Sequence, residues 1–252
     1  MIAIAIVAYA VANLLHEGVG HGGACLLTGG RPLVLSTVHF DCSADNRIVD
    51  AGGTMMNFLA GAVAWRILRW RALTPRAAYF AWLGLAVNLF QAAGYFLFSG
   101  VTNLGDWAQF IIGLGASWVW RLGLVIVGAG LYAAFVWLAL KELLPFVGNE
   151  DSPRWRRARL LTLVPYLAGG VLSCVAGLFN PVGMVLVAIS AAAASLGGTS
   201  GLAWMWEFFR DPRFPPSEGA LSGLTRSPAW ILSGSLVAIV FIGFLGPSVR
   251  FH

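Results

Sequence analysis

The sequence predicts an all-α polytopic membrane protein of about seven transmembrane helices, with a small β-hairpin loop after the first. Three observations predict it. Of 252 residues, 58% are hydrophobic and only 11% charged, against about a quarter charged in a soluble domain. Apolar runs near the ~20 residues that cross a bilayer recur along the whole chain. Of the 16 Lys and Arg residues, 13 lie outside those runs, mostly in short loops between them.

The runs cover residues 2–27, 55–70, 77–98, 118–140, 160–179, 182–205 and 230–245. The second is short and reads as tilted or sheltered by neighbours. Residues 107–117 are apolar but only about half a span. They read as a short re-entrant helix or as the bent start of the fourth span, with Gly113 and Gly115 permitting the bend. Asn88 and Gln91, three apart on the third span, read as hydrogen bonds between helices. The polar stretch 148–159 separates a membrane-embedded front, 1–147, from C-terminal scaffold helices, 160–252.

Topology follows from charge. Arg66, Arg69, Arg71, Arg76, Lys141, Arg154, Arg156, Arg157, Arg159, Arg210, Arg213 and Arg226 fall on one face of this arrangement. Arg31, Arg47 and Arg250 fall on the other, with Arg121 near a span end. The bias makes the first face cytoplasmic, with the N-terminus inside and the C-terminus outside. The basic residues form no domain or tail, so the net charge of +5 argues for no nucleic-acid partner. The expected surroundings are the lipid bilayer, crossed several times.

The loop 28–53 is more than a linker. Residues 36–40 and 47–49 read as two short strands around a turn at 41–46. Such a hairpin either caps the bundle or offers an open edge to an extended peptide. Cys25, Cys42 and Cys174 form no CxxC pair, which argues against a thiolate zinc site. A Cys25–Cys42 disulfide requires an oxidising compartment, and free thiols are the expectation.

The stretch that carries chemistry is Leu15-His16-Glu17-Gly18-Val19-Gly20-His21, inside the first span. Ionisable side chains at membrane depth are costly and mark function. In the helical zinc-peptidase motif HExxH the histidines stand at i and i+4, facing one ion, and the glutamate is the base. Here the spacing is HExxxH, and i+5 lies about 140° round a regular helix. A π-bulge would restore convergence, and Gly18 and Gly20 make a distorted turn least costly. His16 and His21 are therefore candidate metal ligands and Glu17 a candidate general base. A catalytic zinc needs a third protein ligand and an open position. Asp106, on the same face, is the candidate, or else a helix N-cap. His39, Asp41, Asp45 and Asp50 share that face but sit in a polar loop, where a solvated role is the easier account. Three other readings stay open. One is a buried hydrogen-bond network beside a Gly18/Gly22 packing motif. The others are an inactive relative of an enzyme and a transporter-like proton path.

His16-Glu17 with Gly20-His21 in an early span, then a short β-like loop, then Gly52-Gly53-Thr54-Met55-Met56-Asn57, then Asp106 two spans later, together resemble the site-2 protease family of intramembrane zinc metalloproteases. The likeness covers about residues 1–110, with one extra residue in the motif. It implies Zn2+ held by His16, His21 and Asp106, Glu17 as catalytic base, and Asn57 orienting substrate or oxyanion. It implies a transmembrane or membrane-adjacent protein or peptide as substrate. In that family the site opens toward the cytosol, whereas the charge bias here turns it outward.

Overall fold

In the computed structural model, residues 1–44, 46–70, 73–148, 153–183, 187–211, 214, 221 and 223–251 are described, without the side chains of 187–189. Asp45, Arg71, Arg213, His252, residues 149–152 of the polar stretch and residues 184–186 of the expected sixth span lie outside them.

The chain is mostly helical, and among the described residues five helices are long and apolar enough to cross a membrane. The first runs from Ile2 to Leu27. Its parts are α1 (Ile2–Leu14), a π-helical turn (Leu15–His21) and α2 (Gly22–Leu27). The others are α4 (Pro75–Thr102), α6 (Ser117–Val147), α7 (Arg154–Leu178) and the stretch Pro228–Leu245. That last stretch is α9 (Pro228–Val240) closed by a π turn (Phe241–Leu245).

The two other expected spans take a different form. Residues 55–70 belong to α3 (Arg47–Leu68). It is 22 residues long, enough at 1.5 Å per residue for about 33 Å. Arg47, Asp50, Arg66, three glycines, Thr54 and Asn57 keep it from being an apolar crossing by itself. The segment 182–205 is not one regular helix. It holds a π-helical segment (Val187–Gly198), α8 (Gly201–Trp204) and then a 3-10 turn (Met205–Arg210).

The centre is α4, the most enclosed of the five. Thr74 caps its start and Asn103, in the left-handed conformation, ends it. Trp82, Tyr79 and Phe146 are fully buried around it. Their polar ends are satisfied: Trp82 Nε1 donates to Ala139 O at 2.9 Å, and Tyr79 Oη to Leu161 O at 2.7 Å. Without such partners each polar group would cost about 1–3 kcal/mol in the interior. These two bonds fasten α6 and α7 to α4.

A three-stranded antiparallel sheet lies after the first span, in the order β2-β1-β3. Its strands are β1 (Pro32–Leu35), β2 (Phe40–Cys42) and β3 (Val249–Arg250). The expected strands at 36–40 and 47–49 are thus corrected in register and partly in type. Ser36 Oγ accepts from the backbone N–H groups of Val38 and His39, which closes a tight turn at 36–39. Asn46 accepts from Ile48 N and Val49 N, both at 3.1 Å, and so starts α3 where β-branched residues suggested a strand. The third strand comes from the C-terminus: Val34 pairs with Arg250 and Leu35 with Val249. Phe251 N donates to Leu33 O at 2.9 Å. The C-terminal strand therefore lies on the same face as the 28–53 loop, and it covers one edge of the expected hairpin.

Cys25 and Cys42 form a disulfide, correcting the expectation of free thiols. It ties the end of the first span to β2 across 17 residues, a closure worth about 3 kcal/mol for a loop of this size. The purified chain should show one reactive thiol, Cys174, when denatured without reductant, and three after reduction. Thiol counting with a maleimide checks this. Three thiols before reduction would contradict the bridge.

Candidate metal centre

The π-helical turn decides the geometry of the site. In a π-helix the backbone bonds run from i to i+5, so residues five apart stand on one face. His16 and His21 are five apart. Their Nε2 atoms lie 3.2 Å from each other, and both residues are buried.

The turn stands close against α3, and glycine permits the approach. A Cβ on Gly20 would meet Gly53 Cα at 2.6 Å, and one on Gly52 would meet Gly20 O at 2.5 Å. The pair Gly18 and Gly22 has no such role: the nearest atoms to their Cβ positions are 4.0 and 3.4 Å away. Gly53 faces the imidazoles, and its Cβ would lie 2.5 Å from Nε2 of both.

α3 also orients one ring. His21 Nδ1 lies 2.7 Å from Val49 O. A carbonyl only accepts, so Nδ1 carries a proton, which leaves Nε2 as the nitrogen able to present a lone pair to the site. The His16 ring is held by stacking on Tyr95 of α4, at 4.6 Å and 15°.

Asp106 arrives on α5 (Asp106–Phe110). Gly105 precedes it with φ +81°, a conformation that favours glycine. α5 is lashed to α3. Trp107 Nε1 donates to Thr54 Oγ1 at 3.0 Å, and Arg47 donates to Phe110 O and Ile112 O at 3.0 and 2.9 Å. Beyond α5 the chain turns at Gly113 and Gly115, both at positive φ, before α6 begins. The half-span 107–117 is thus a short separate helix and a turn. Gly105, not Asp106, occupies the cap position of α5. Its Oδ2 lies 3.2 Å from His16 Nε2 and 3.4 Å from His21 Nε2. Burial works to raise its pKa, and the adjoining His21 and His16 rings outweigh that, holding the carboxyl below the usual carboxylate range.

The three nearest donor atoms thus form a triangle with sides of 3.2, 3.2 and 3.4 Å. Ligands of a tetrahedral zinc, each about 2.0–2.1 Å from the ion, stand about 3.3 Å from one another. Asp106 Oδ2 is buried and takes no hydrogen bond of good geometry from either ring. The pattern of two imidazole nitrogens and one carboxylate oxygen, close but not hydrogen-bonded to the oxygen, fits a metal ion between them.

Glu17 opens beside this triangle into a cavity of about 390 Å³, also lined by His21, His39, Tyr95, Asp106 and Gln109. His39 belongs to the 36–39 turn. Its Nδ1 lies 2.9 Å from Ser36 Oγ and its Nε2 3.8 Å from Asp41 Oδ2. The turn is fastened from outside: Asn13 donates to Thr37 O at 3.0 Å and Ser190 to Val38 O at 2.6 Å. Asp50 lines the same cavity.

Asn57 is elsewhere. It is fully buried one turn beyond Gly53, and its Nδ2 donates to Gln91 Oε1 at 3.2 Å. It joins α3 to α4 and does not line the cavity. Gln91 is the interhelical bond expected of it, whereas Asn88 bonds within its own helix, to Gly84 O. The cavity-lining roles of Tyr95 and His39 were not assigned from sequence. Tyr95 has only its four-residue spacing from Gln91 to mark it, and His39 sits among other polar residues.

Gly53→Ala should weaken any metal binding at this triangle at least about tenfold, as displaced ligands generally do. Gly23→Ala, whose Cβ meets nothing within 4 Å, should leave it unchanged. Metal content after dialysis against a zinc buffer measures both, and equal retention would contradict the crowding at Gly53. No family model matches this chain, and no curated protein and no solved structure matches it either, so its own geometry carries the reading of the site.

Proposed function

We propose that this chain is an intramembrane zinc metallopeptidase, a divergent relative of the site-2 protease family, acting on membrane-embedded or membrane-adjacent peptides. The observation that carries the reading is the donor triangle beside a buried glutamate: two histidines and an aspartate at tetrahedral spacing, with Glu17 at the wall of a cavity of about 390 Å³. We also read α3 and the 187–204 region as crossing segments sheltered by their neighbours, which gives seven passages.

His16, His21 and Asp106 would hold the ion, and bound Zn2+ supplies a Lewis acid that brings a water's pKa to about 7. Glu17 takes the proton of the attacking water as its oxygen bonds to the scissile carbonyl carbon. The same carboxyl returns that proton to the amine nitrogen as the carbon–nitrogen bond breaks. Val49 O keeps His21 in the tautomer that presents Nε2, and Tyr95 keeps the plane of His16 fixed. His39 and the Tyr95 hydroxyl line the cavity within which substrate oxygen charge develops.

Substrate must enter as an extended strand, because a helix has no free backbone groups to pair. β2 is the sheet edge nearest the cavity, with Phe40 lining it. Two independent features support an outward-facing site. The charge bias places this face outside, and the Cys25–Cys42 disulfide beside it suits an oxidising compartment.

Purified protein should carry about one zinc per chain, and His16→Ala or His21→Ala should lose it. Glu17→Gln should keep the metal and lose at least ~100-fold in cleavage of fluorogenic transmembrane peptides, the usual scale for a missing general base. Metal retained with no cleavage in any form of the chain would favour an inactive relative. No metal at all would remove the ground for hydrolysis.

A further inference from the structure

The opposite, basic face of the molecule carries a second feature, independent of the metal centre. A hollow of about 560 Å³ lies at the start of α7, lined by Trp155, Arg156, Arg159, Leu160, Leu163 and Val164. Val164 also lines a trough of about 500 Å³ that continues along α7 between α1 and α9, past Leu167, Val171 and Val175. Arg156, Arg159, Leu163, Val164, Leu167 and Val171 recur at three- and four-residue spacing. They form one stripe, charged at its first turn and apolar below. From Leu160 to Val175 the stripe runs about 22 Å, longer than the ~15 Å hydrocarbon depth of one leaflet.

The charged end is held in place by aromatic rings. Arg156 Cζ lies 5.3 Å over the Trp155 ring and Arg159 Cζ 5.3 Å over Trp206. Arg210 stands over both tryptophans, at 4.8 and 5.1 Å, and pairs with Glu207 at 3.0 Å. Among the described residues neither Arg156 nor Arg159 pairs with a carboxylate, and both are exposed. Guanidinium groups preset by stacking lose less freedom when they bind a planar or tetrahedral anion.

We infer that this groove binds one anionic phospholipid of the cytoplasmic leaflet, its phosphate at Arg156 and Arg159 and an acyl chain in the trough along α7. Charge complementarity selects the headgroup, since basic pockets between membrane helices on this side take anionic lipids. Continuity with an apolar trough selects a lipid over a soluble phosphate, which would use only the first hollow.

The test is native mass spectrometry of the full chain after exchange with vesicles of equal phosphatidylglycerol and phosphatidylcholine. Phosphatidylglycerol should be retained about tenfold over phosphatidylcholine. Arg156→Gln/Arg159→Gln should abolish the preference. Arg66→Gln/Arg69→Gln, two charges on the same face at the end of α3, which lines neither part of the groove, should keep it. Millimolar inorganic phosphate should not displace the lipid. Equal retention of the two lipids, equal loss in the control pair, or displacement by phosphate would each overturn the proposal.

Discussion

The structure turns on one local constraint: two imidazoles five residues apart must face a single point inside a helix. A regular α-helix sends them about 140° apart. The π-helical turn Leu15–His21 removes that angle within the span, without breaking the backbone bonding that lipid requires. The wider turn must then pack against something narrow. Gly20 against Gly52 and Gly53 provides this, with backbone meeting backbone where any side chain would intrude. Helix interfaces in membranes use small residues for the same reason, and here the close approach also clears the space in front of both Nε2 atoms.

The rest of the site is positioned from α3. Its first turn supplies Val49 O to His21, and its second supplies Gly53. Thr54 and Arg47 hold α5, so that Asp106 reaches the rings from a helix too short to be stable alone. Among the polar residues that keep α3 from reading as an apolar span, Arg47 and Thr54 also build the centre. The sheet then covers the cavity, with its central turn anchored by Asn13 and Ser190 and its second strand by the disulfide.

Much of this was legible in the residues. Hydropathy marks the five long helices, because lipid enforces length and composition together. HExxxH with interleaved glycines points to a π turn, because spacing and ligand geometry conflict in any regular helix. The loop was misread for a definite reason. Val38, Ile48 and Val49 favour strand, but Ser36 and Asn46 bond to neighbouring backbone N–H groups and impose a turn and a helix start. β3 is only two residues, and its pairing depends on where the C-terminus lands. Asn57 looks like a site residue because it follows the glycines by one turn, yet that turn points it to Gln91. Sequence spacing fixes which face of a helix a residue occupies, but not which neighbour stands there.

The π turn also divides two environments, and this explains how a charged site is compatible with a membrane. On one side Val19, Gly20, Ala24, Met55 and Leu59 line an apolar groove of about 770 Å³ between the first span and α3. On the other, Glu17 and His21 face a cavity shared with His39, Asp50 and Gln109. Adjacent residues of one turn therefore meet apolar surroundings and polar ones. Glu17 and the histidines need water or an ion, since an unpaired charge in hydrocarbon is too costly to keep. The polar cavity provides that contact, and the glycine-tight seam against α3 keeps the apolar groove from opening into it. The extra residue in the motif, the glycines and the polar character of α3 are thus parts of one arrangement. Each makes sense only if the two imidazoles face Asp106 and not the lipid.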